Sequence, residues 1–354
     1  MVKHLAHLLI EFNFVINNIG ISSSLSSGSN LYIVNINHKS KEMKLSKLII
    51  LFCSFSIAQT VDKDLEAFRK VENEVKNNLT EEIVKINDNF FMIKPINGVA
   101  GNIGVFISEK GLVLVDDQWE IIEDLILETI NSISKKDISF IINTHFHYDH
   151  VDGNKAFGKK GIPIISHENV RKRLKRKTKL YGHPQHNYNM IQDKFPDFAL
   201  PSTVYNSTMK IYVEDEEIQL LNFGPGHTDG DTIVFFKNNN VIHTGDSFVT
   251  YGYPYVDLSD GGSFKGFINV LSQIIAISNE ETKIIPGHGA VCDVGDVITL
   301  KNILQEHYEI TEKGFSKGLS VKQIMNEITS ELNGQGNITK EDFIMNIIYD
   351  LKTN

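Results

Sequence analysis

Apolar residues along this chain fall into short runs broken by polar turns, and the runs come in two kinds. Those rich in Ile, Val and Phe predict strands: FFMIK at 90–94, IGVFI at 103–107, LVLVD at 112–116, SFIINT at 139–144, IPII at 162–165, MKIYVED at 209–215, IQLLNF at 218–223, TIVFFK at 232–237, VIHT at 241–244 and KIIP at 283–286. The segment 103–116 reads as a hairpin turning at Glu109, Lys110 and Gly111. Longer stretches with apolar positions at helical spacing predict helices at 62–78, 119–134, 263–278, 296–313, 320–332 and 339–352, with a short one near 153–157. Strands dominate the middle and helices punctuate both halves, which implies sheets with helices packed outside. In the last two helices Ile324, Ile328, Phe343, Ile347 and Leu351 recur at helical spacing, a face for packing on the domain or on a second subunit.

This patterning fails over the first 58 residues. Residues 1–42 hold no helix or strand period and include a Ser/Asn/Gly-rich stretch at 22–30. From Met43 the sequence MKLSKLIILFCSFSIAQT supplies a short basic region, an apolar stretch from Leu48 to Ile57, and small residues Ser56 and Ala58, the layout of a secretory signal peptide. The expectation is that residues 1–42 are an over-extended, unstructured start, that 43–58 is the signal, and that the exported protein begins at Gln59. That places it in the periplasm or outside the cell. The apolar run is about half the length a membrane span needs, so no stable membrane anchor is expected. The rest divides into an N-terminal helical segment (59–80), a main domain (81–315) and a C-terminal helical extension (316–354).

Charge and cysteine content narrow the partners. The full chain carries 44 acidic against 35 basic residues, a formal charge of −9, and loss of residues 1–58 leaves it more acidic still. Nucleic acid and anionic surfaces are therefore not expected partners, and a small-molecule substrate is. Loss of Cys53 leaves Cys292 alone, so the fold must stand on its core and on metals rather than on a disulfide.

The candidate chemistry sits at strand ends. After SFIINT comes His145-Phe146-His147-Tyr148-Asp149-His150. In a loop leaving a strand, His145 and His147 can converge on one cation while Asp149 and His150 turn toward another, and imidazole and carboxylate both suit zinc. Packing so many ionisable groups into one turn is costly unless a divalent cation neutralises and orders them. Three further segments each set a polar residue beside glycine after an apolar strand: Gly226-His227-Thr228, Thr244-Gly245-Asp246 and Gly287-His288-Gly289. Any one alone reads as an ordinary turn; in sequence with the histidine cluster they read as one site. Residues 171–179 (RKRLKRKTK) carry seven basic groups. They read either as a solvated helix face or as a lid that draws in a carboxylate or phosphate.

His145, His147, Asp149, His150, His227, Asp246 and His288, in this order and spacing, resemble the full ligand set of the metallo-β-lactamase superfamily, and the resemblance runs from about Asn89 to about Val294. It implies an α+β fold, the αββα four-layer sandwich, with two metals at one edge between the sheets. It assigns His145, His147 and His227 to one metal, Asp149, His150 and His288 to the other, and Asp246 to a bridge. Asp116 resembles the family's acid that orients a ligand histidine. The implied cofactor is two zinc ions per chain, with iron or manganese as replacements, and the implied chemistry is attack on a carbonyl by a water acidified between them. Asp149 and Asp246 are the carboxylates expected to take part in catalysis, and one of Tyr251, Tyr253 and Tyr255 could contact substrate or simply pack.

Substrate choice stays open in the sequence. Export and the spacing around His227 favour a cyclic amide such as a β-lactam, or a lactone or ester. Superfamily β-lactamases commonly carry cysteine or serine where Asp246 stands, and one group has a lysine where Val249 stands; an aspartate preceded by Thr-Gly is more similar to glyoxalase II, lactonases and other esterases. A thioester hydrolase is thus the alternative, and a phosphodiesterase or a non-catalytic binding protein is less expected.

Overall fold

Strand alternation resolves into two sheets in a computed structural model that describes residues 68–353 except 98, 182–188, 333, 335 and 337. The segments 1–42 and 43–58, and the start of the helix expected at 62–78, lie outside the described residues; residues 68–78 are helical (α1). Residues 63–354 form one compact unit, so the last two helices belong to the same body as the sheets.

The first sheet holds β1 (Thr80–Lys85), β2 (Phe90–Ile96), β3 (Ile103–Ser108), β4 (Gly111–Val115), β5 (Ile138–Ile142), β6 (Ile164–His167) and β9 (Thr203–Tyr205) in the order β1-β2-β3-β4-β5-β6-β9. Its first half is antiparallel, and β4, β5, β6 and β9 run parallel. The second sheet is β10 (Thr208–Val213), β11 (Glu216–Leu221), β12 (Ile233–Phe236), β13 (Val241–His243) and β14 (Lys283–Ile285), antiparallel except for the parallel pair β13 and β14. A separate two-stranded ribbon, β7 (Thr178–Tyr181) with β8 (Asn189–Gln192), follows the basic segment. The chain also forms α2 (Glu123–Ile133), α3 (Tyr148–Val151), α4 (Asn154–Lys159), α5 (Glu168–Leu174), α6 (Phe264–Ile277), α7 (Val294–Ser316), α8 (Val321–Glu327) and α9 (Lys340–Thr353).

The period of two explains the four layers. In β4, Leu112 and Leu114 face a core shared with Trp119 and with Ile126 and Ile130 of α2, while Val113 and Val115 face the other sheet. In β12, Ile233 and Phe235 pack under α6 and α7, while Val234 and Phe236 meet the first sheet. Strands with both faces covered read as continuous apolar runs, hence LVLV and IVFF. The middle layer is tied by an edge-to-face contact of Phe90 and Phe236, ring centres 4.7 Å apart. This is the αββα sandwich expected from the sequence. At the C-terminus Phe343 and Ile347 of α9 enter the core beneath α6, and Ile324, Ile328 and Ile344 form a small cluster of their own.

Two of the differences from the predicted elements have a clear physical cause. The helix expected over 320–332 ends at Glu327, because Glu306 of α7 accepts hydrogen bonds from Thr329 N and Oγ1, both at 2.9 Å, and draws the chain out of helical geometry. TEEIVK at 80–85, too charged to read as a strand, is the outer strand β1; a solvated edge tolerates charge and resists pairing with other chains. Among the described residues no helix is long and apolar enough to cross a membrane.

Candidate metal centre

The sheets end at a common edge, and the loops that leave them carry the seven candidate residues. β5 stops at Ile142; His145 and His147 lie in the loop beyond it, and Asp149 and His150 lie on the single turn α3. His227 lies between β11 and β12, Asp246 in a 3-10 turn (Gly245–Ser247) after β13, and His288 just past β14. These residues form two donor groups, His145, His147, His227 and Asp246 in one and Asp149, His150 and His288 in the other, with donor atoms within 4.8 Å of one another in each.

Asp246 faces both groups. Its Oδ2 is 3.7 Å from His227 Nε2, and its Oδ1 lies 3.2 Å from His150 Nε2 and 3.4 Å from His288 Nε2. Asp149 Oδ2 lies 3.3 Å from His288 Nε2. Tetrahedral bonds of about 2.0–2.1 Å put neighbouring ligand atoms roughly 3.3 Å apart, which these separations bracket. Close backbone approach makes this possible: a Cβ on Gly287 would sit 1.9 Å from Asp246 Oδ1, and one on Gly101 would sit 2.3 Å from the His150 ring.

Four of the five imidazoles, those of His145, His147, His150 and His227, are oriented through their other nitrogen. Buried Asp116, at the end of β4, accepts from Thr144 N at 2.7 Å, Thr144 Oγ1 at 2.7 Å and His150 Nδ1 at 2.8 Å. Since Thr144 Oγ1 donates to Asp116, it accepts from His145 Nδ1 at 3.0 Å. His227 Nδ1 donates to Tyr255 O at 2.8 Å. His147 differs: its Nε2 donates to Asp257 Oδ2 at 3.0 Å, which turns Nδ1 toward the group. Asp116 itself is held at φ 64, a left-handed conformation that aspartate tolerates better than most residues.

These partners assign the tautomers and so test whether a metal fits. With their outer nitrogens protonated, neutral His147 and His227 set lone pairs against one another, Nδ1 to Nε2, at 2.9 Å, a clash that a proton or a metal ion between the rings relieves; His150 Nε2 and His288 Nε2 lie 3.3 Å apart beside the carboxylates of Asp149 and Asp246. His145 Nε2 and Asp246 Oδ1 are buried with no hydrogen-bond partner. Converging lone pairs with orphaned acceptors need a cation, and the mixed nitrogen and carboxylate set fits a divalent metal. The carboxylates favour a positive charge at the second group, and without a metal a proton on His288 supplies it. Burial opposes a charged His288, yet Asp246 and Asp149 outweigh it and raise its pKa to about 9. Burial likewise disfavours a charged Asp246, but His288 and His150 hold its carboxyl well below the usual range. At His145, by contrast, burial and the neighbouring imidazoles push the pKa well down, favouring the neutral, ligand-competent ring.

The remaining sequence candidates separate. Tyr253 is buried with its hydroxyl 3.1 Å from His307 Nε2, and Tyr255 serves the site through its carbonyl. Tyr251 sets its ring 5.7 Å from that of His288, whose side chain is 19% exposed. The basic segment does not behave as one unit: Arg173 is buried and paired with Asp229 and Asp260, whereas Lys172, Lys175, Arg176 and Lys177 are exposed. Asp257 escaped the sequence reading, since no metal-binding spacing surrounds it and only the fold brings it to His147. Its one local signal is the Asp257-Leu-Ser-Asp260 turn, in which Asp257 accepts from Asp260 N at 3.1 Å.

Comparison with known proteins points the same way. A family model described as Metallo-beta-lactamase superfamily matches residues 96–288. A probable metallo-hydrolase of Methanocaldococcus jannaschii is 27% identical over 212 residues, 57% of this chain and 95% of that protein. A hydroxyacylglutathione hydrolase of Pelagibacter ubique is 29% identical over 151 residues, 43% of this chain and about half (52%) of the relative. A type 2 metallo-beta-lactamase of Bacillus cereus is 23% identical over 280 residues, 75% of this chain and 100% of that protein. Among solved structures, a metallo-beta-lactamase from Pontibacter korlensis superposes with a TM-score of 0.50 at 16% identity, covering 64% of this chain and 99% of that one; this likeness bears on the fold alone.

Proposed function

The chain belongs to the metallo-β-lactamase superfamily of metallo-hydrolases, and from that footing we propose that it is an exported binuclear zinc hydrolase acting on a carbonyl substrate: a cyclic amide such as a β-lactam, a lactone or an ester. The observation that supports two metals is Asp246, whose two oxygens each face a different donor group. In this reading His145, His147 and His227 hold one ion, Asp149, His150 and His288 hold the other, and Asp246 bridges. Iron or manganese could stand in for zinc at a centre with two carboxylates.

When bound, two such ions supply Lewis acidity for the carbonyl and leaving group and bring the pKa of water toward neutrality. The protein's residues do the rest. Asp149, at the more open side, accepts the nucleophile's proton and holds it for the leaving group. Asp116, through His150 and Thr144, fixes two imidazoles so that none must reorient during turnover. His288 and Tyr251 line the approach and meet the substrate first.

A thioester hydrolase is the second reading, favoured by aspartate rather than cysteine or serine at position 246 and by Val249 where a carboxylate-gripping lysine would stand. Purified protein assayed on a β-lactam, a lactone, a thioester and a phosphodiester, with and without chelator, separates these classes. The proposal requires chelator-sensitive activity, restored by zinc, on a carbonyl substrate. Turnover of the phosphodiester alone would sink it.

A further inference from the structure

Arg173 lies outside the donor groups, yet with the loop 255–262 it touches every segment that carries a histidine of the first donor group. We propose that this loop, clamped by Arg173, sets metal affinity at the group of His145, His147 and His227, with Asp257 the residue that positions His147; the inference rests on the metal-centre reading above.

The loop grips two of the three histidines. Asp257 Oδ2 accepts from His147 Nε2, Tyr255 O accepts from His227 Nδ1, and Asp257 N donates to His227 O at 2.9 Å. Asp116 orients His150 of the second group and, through Thr144, His145, whereas the contacts of the loop fall on His147 and His227, so the loop acts on one metal position. A carboxylate behind an imidazole fixes its tautomer and raises the basicity of the other nitrogen. It is what commits His147, alone among the oriented rings, to its Nδ1.

The loop is held in shape from within and from outside. Within it, Asp257 Oδ1 accepts from Ser259 Oγ at 2.6 Å and Asp260 N at 3.1 Å, and Gly262 N donates to Asp257 O at 2.7 Å. Gly261 turns at φ 82 with no room for a side chain, since a Cβ there would lie 2.8 Å from Asp229 Cβ. From outside, Arg173 donates to both carboxylate oxygens of Asp229, Nε to Oδ1 at 2.8 Å and Nη2 to Oδ2 at 2.6 Å. It also donates through Nη2 to Asp260 O at 2.6 Å and pairs through Nη1 with Asp260 Oδ1. Its guanidinium lies 5.2 Å from the ring centre of Phe146, between His145 and His147 in sequence. Asp229 sits two residues past His227. One planar cation thus joins the HxH loop, the His227 turn and the Asp257 loop, and neutralises acids that would otherwise crowd Asp257. The fork geometry is specific to arginine.

The test is a zinc titration of the full-length protein after chelation, read as two binding constants, together with NMR of 15N-labelled histidine to follow the tautomers. Asp257→Asn keeps the side chain's shape and removes its charge; Arg173→Met removes the clamp. The expected result for each is a loss of about 10–100-fold in one binding constant with the other unchanged, and a changed tautomer signal for His147. Should Arg173→Met fail to fold, Asp257→Asn decides alone. Two wild-type constants in the variants, or a parallel fall in both constants, overturn the inference. Absence of zinc binding by the wild-type protein would instead remove the reading on which it rests.

Discussion

Replacing Asp116 by Asn keeps the side chain's size and inverts half of its hydrogen-bonding. The carboxylate accepts three bonds, from Thr144 N, Thr144 Oγ1 and His150 Nδ1, and is fully buried. An amide can be placed in two ways. With its oxygen toward Thr144 N, the NH2 group faces both His150 Nδ1 and Thr144 Oγ1: His150 Nδ1 must lose its proton, which moves to Nε2, the nitrogen that faces His288 and Asp246, and the Thr144 hydroxyl must donate to His145 Nδ1 instead of accepting from it. With the amide reversed, Thr144 N is left buried against an NH2 group. The first arrangement blocks the metal-facing nitrogen of His150 and upsets that of His145, and should weaken metal binding by about 10–100-fold; the second orphans a buried donor at a cost of about 1–3 kcal/mol. The backbone strain at φ 64 is not a confounder, because asparagine tolerates that conformation at least as well. Urea unfolding of metal-stripped protein reads the stability term, and zinc titration against a competing chelator reads the affinity. If Asp116→Asn unfolds within about 0.5 kcal/mol of wild type and binds both metals as tightly, the orienting role given to Asp116 is wrong.

Two other substitutions probe separate parts of the account. Asp246→Ala should weaken the second metal and abolish turnover, since two cations would face each other without the shared carboxylate; Asp246→Cys should keep both metals and shift preference between ester and amide, measured by metal content and by rates on a lactone and a β-lactam. Phe236→Ala, at the centre of the layer between the sheets, should cost about 3–5 kcal/mol in chemical denaturation while leaving the metal content of the folded protein unchanged.

Much of this molecule was legible because its signals were local. The doubly covered strands announce themselves as LVLV and IVFF, and the cluster from His145 to His150 puts four donors into one loop and turn. What escaped depends on distant parts of the chain. Asp257 reaches His147 across 110 positions and carries no recognisable spacing. Arg173 looks like one more charge in a basic run, and only the fold shows that it is buried against Asp229 and Asp260 while Lys172, Lys175 and Lys177 stay exposed and Arg176 reaches Asp260 from the surface. The end of α8 was misplaced because Glu306, on another helix, captures Thr329 and Ser330. Propensity cannot register a carboxylate that arrives from elsewhere. The β7–β8 ribbon went unnoticed because its strands are only four residues each and the first begins inside the basic run.

The central claim is that seven side chains hold two metals. Elemental analysis of the purified protein, combined with titration of the chelated form, tests it most directly. The account predicts about two metals per chain and two resolvable binding events, because a single ion would leave Asp149, His150 and His288 as a converging donor group with no metal to order it. One tightly held metal per chain with no second event at any zinc concentration would contradict it.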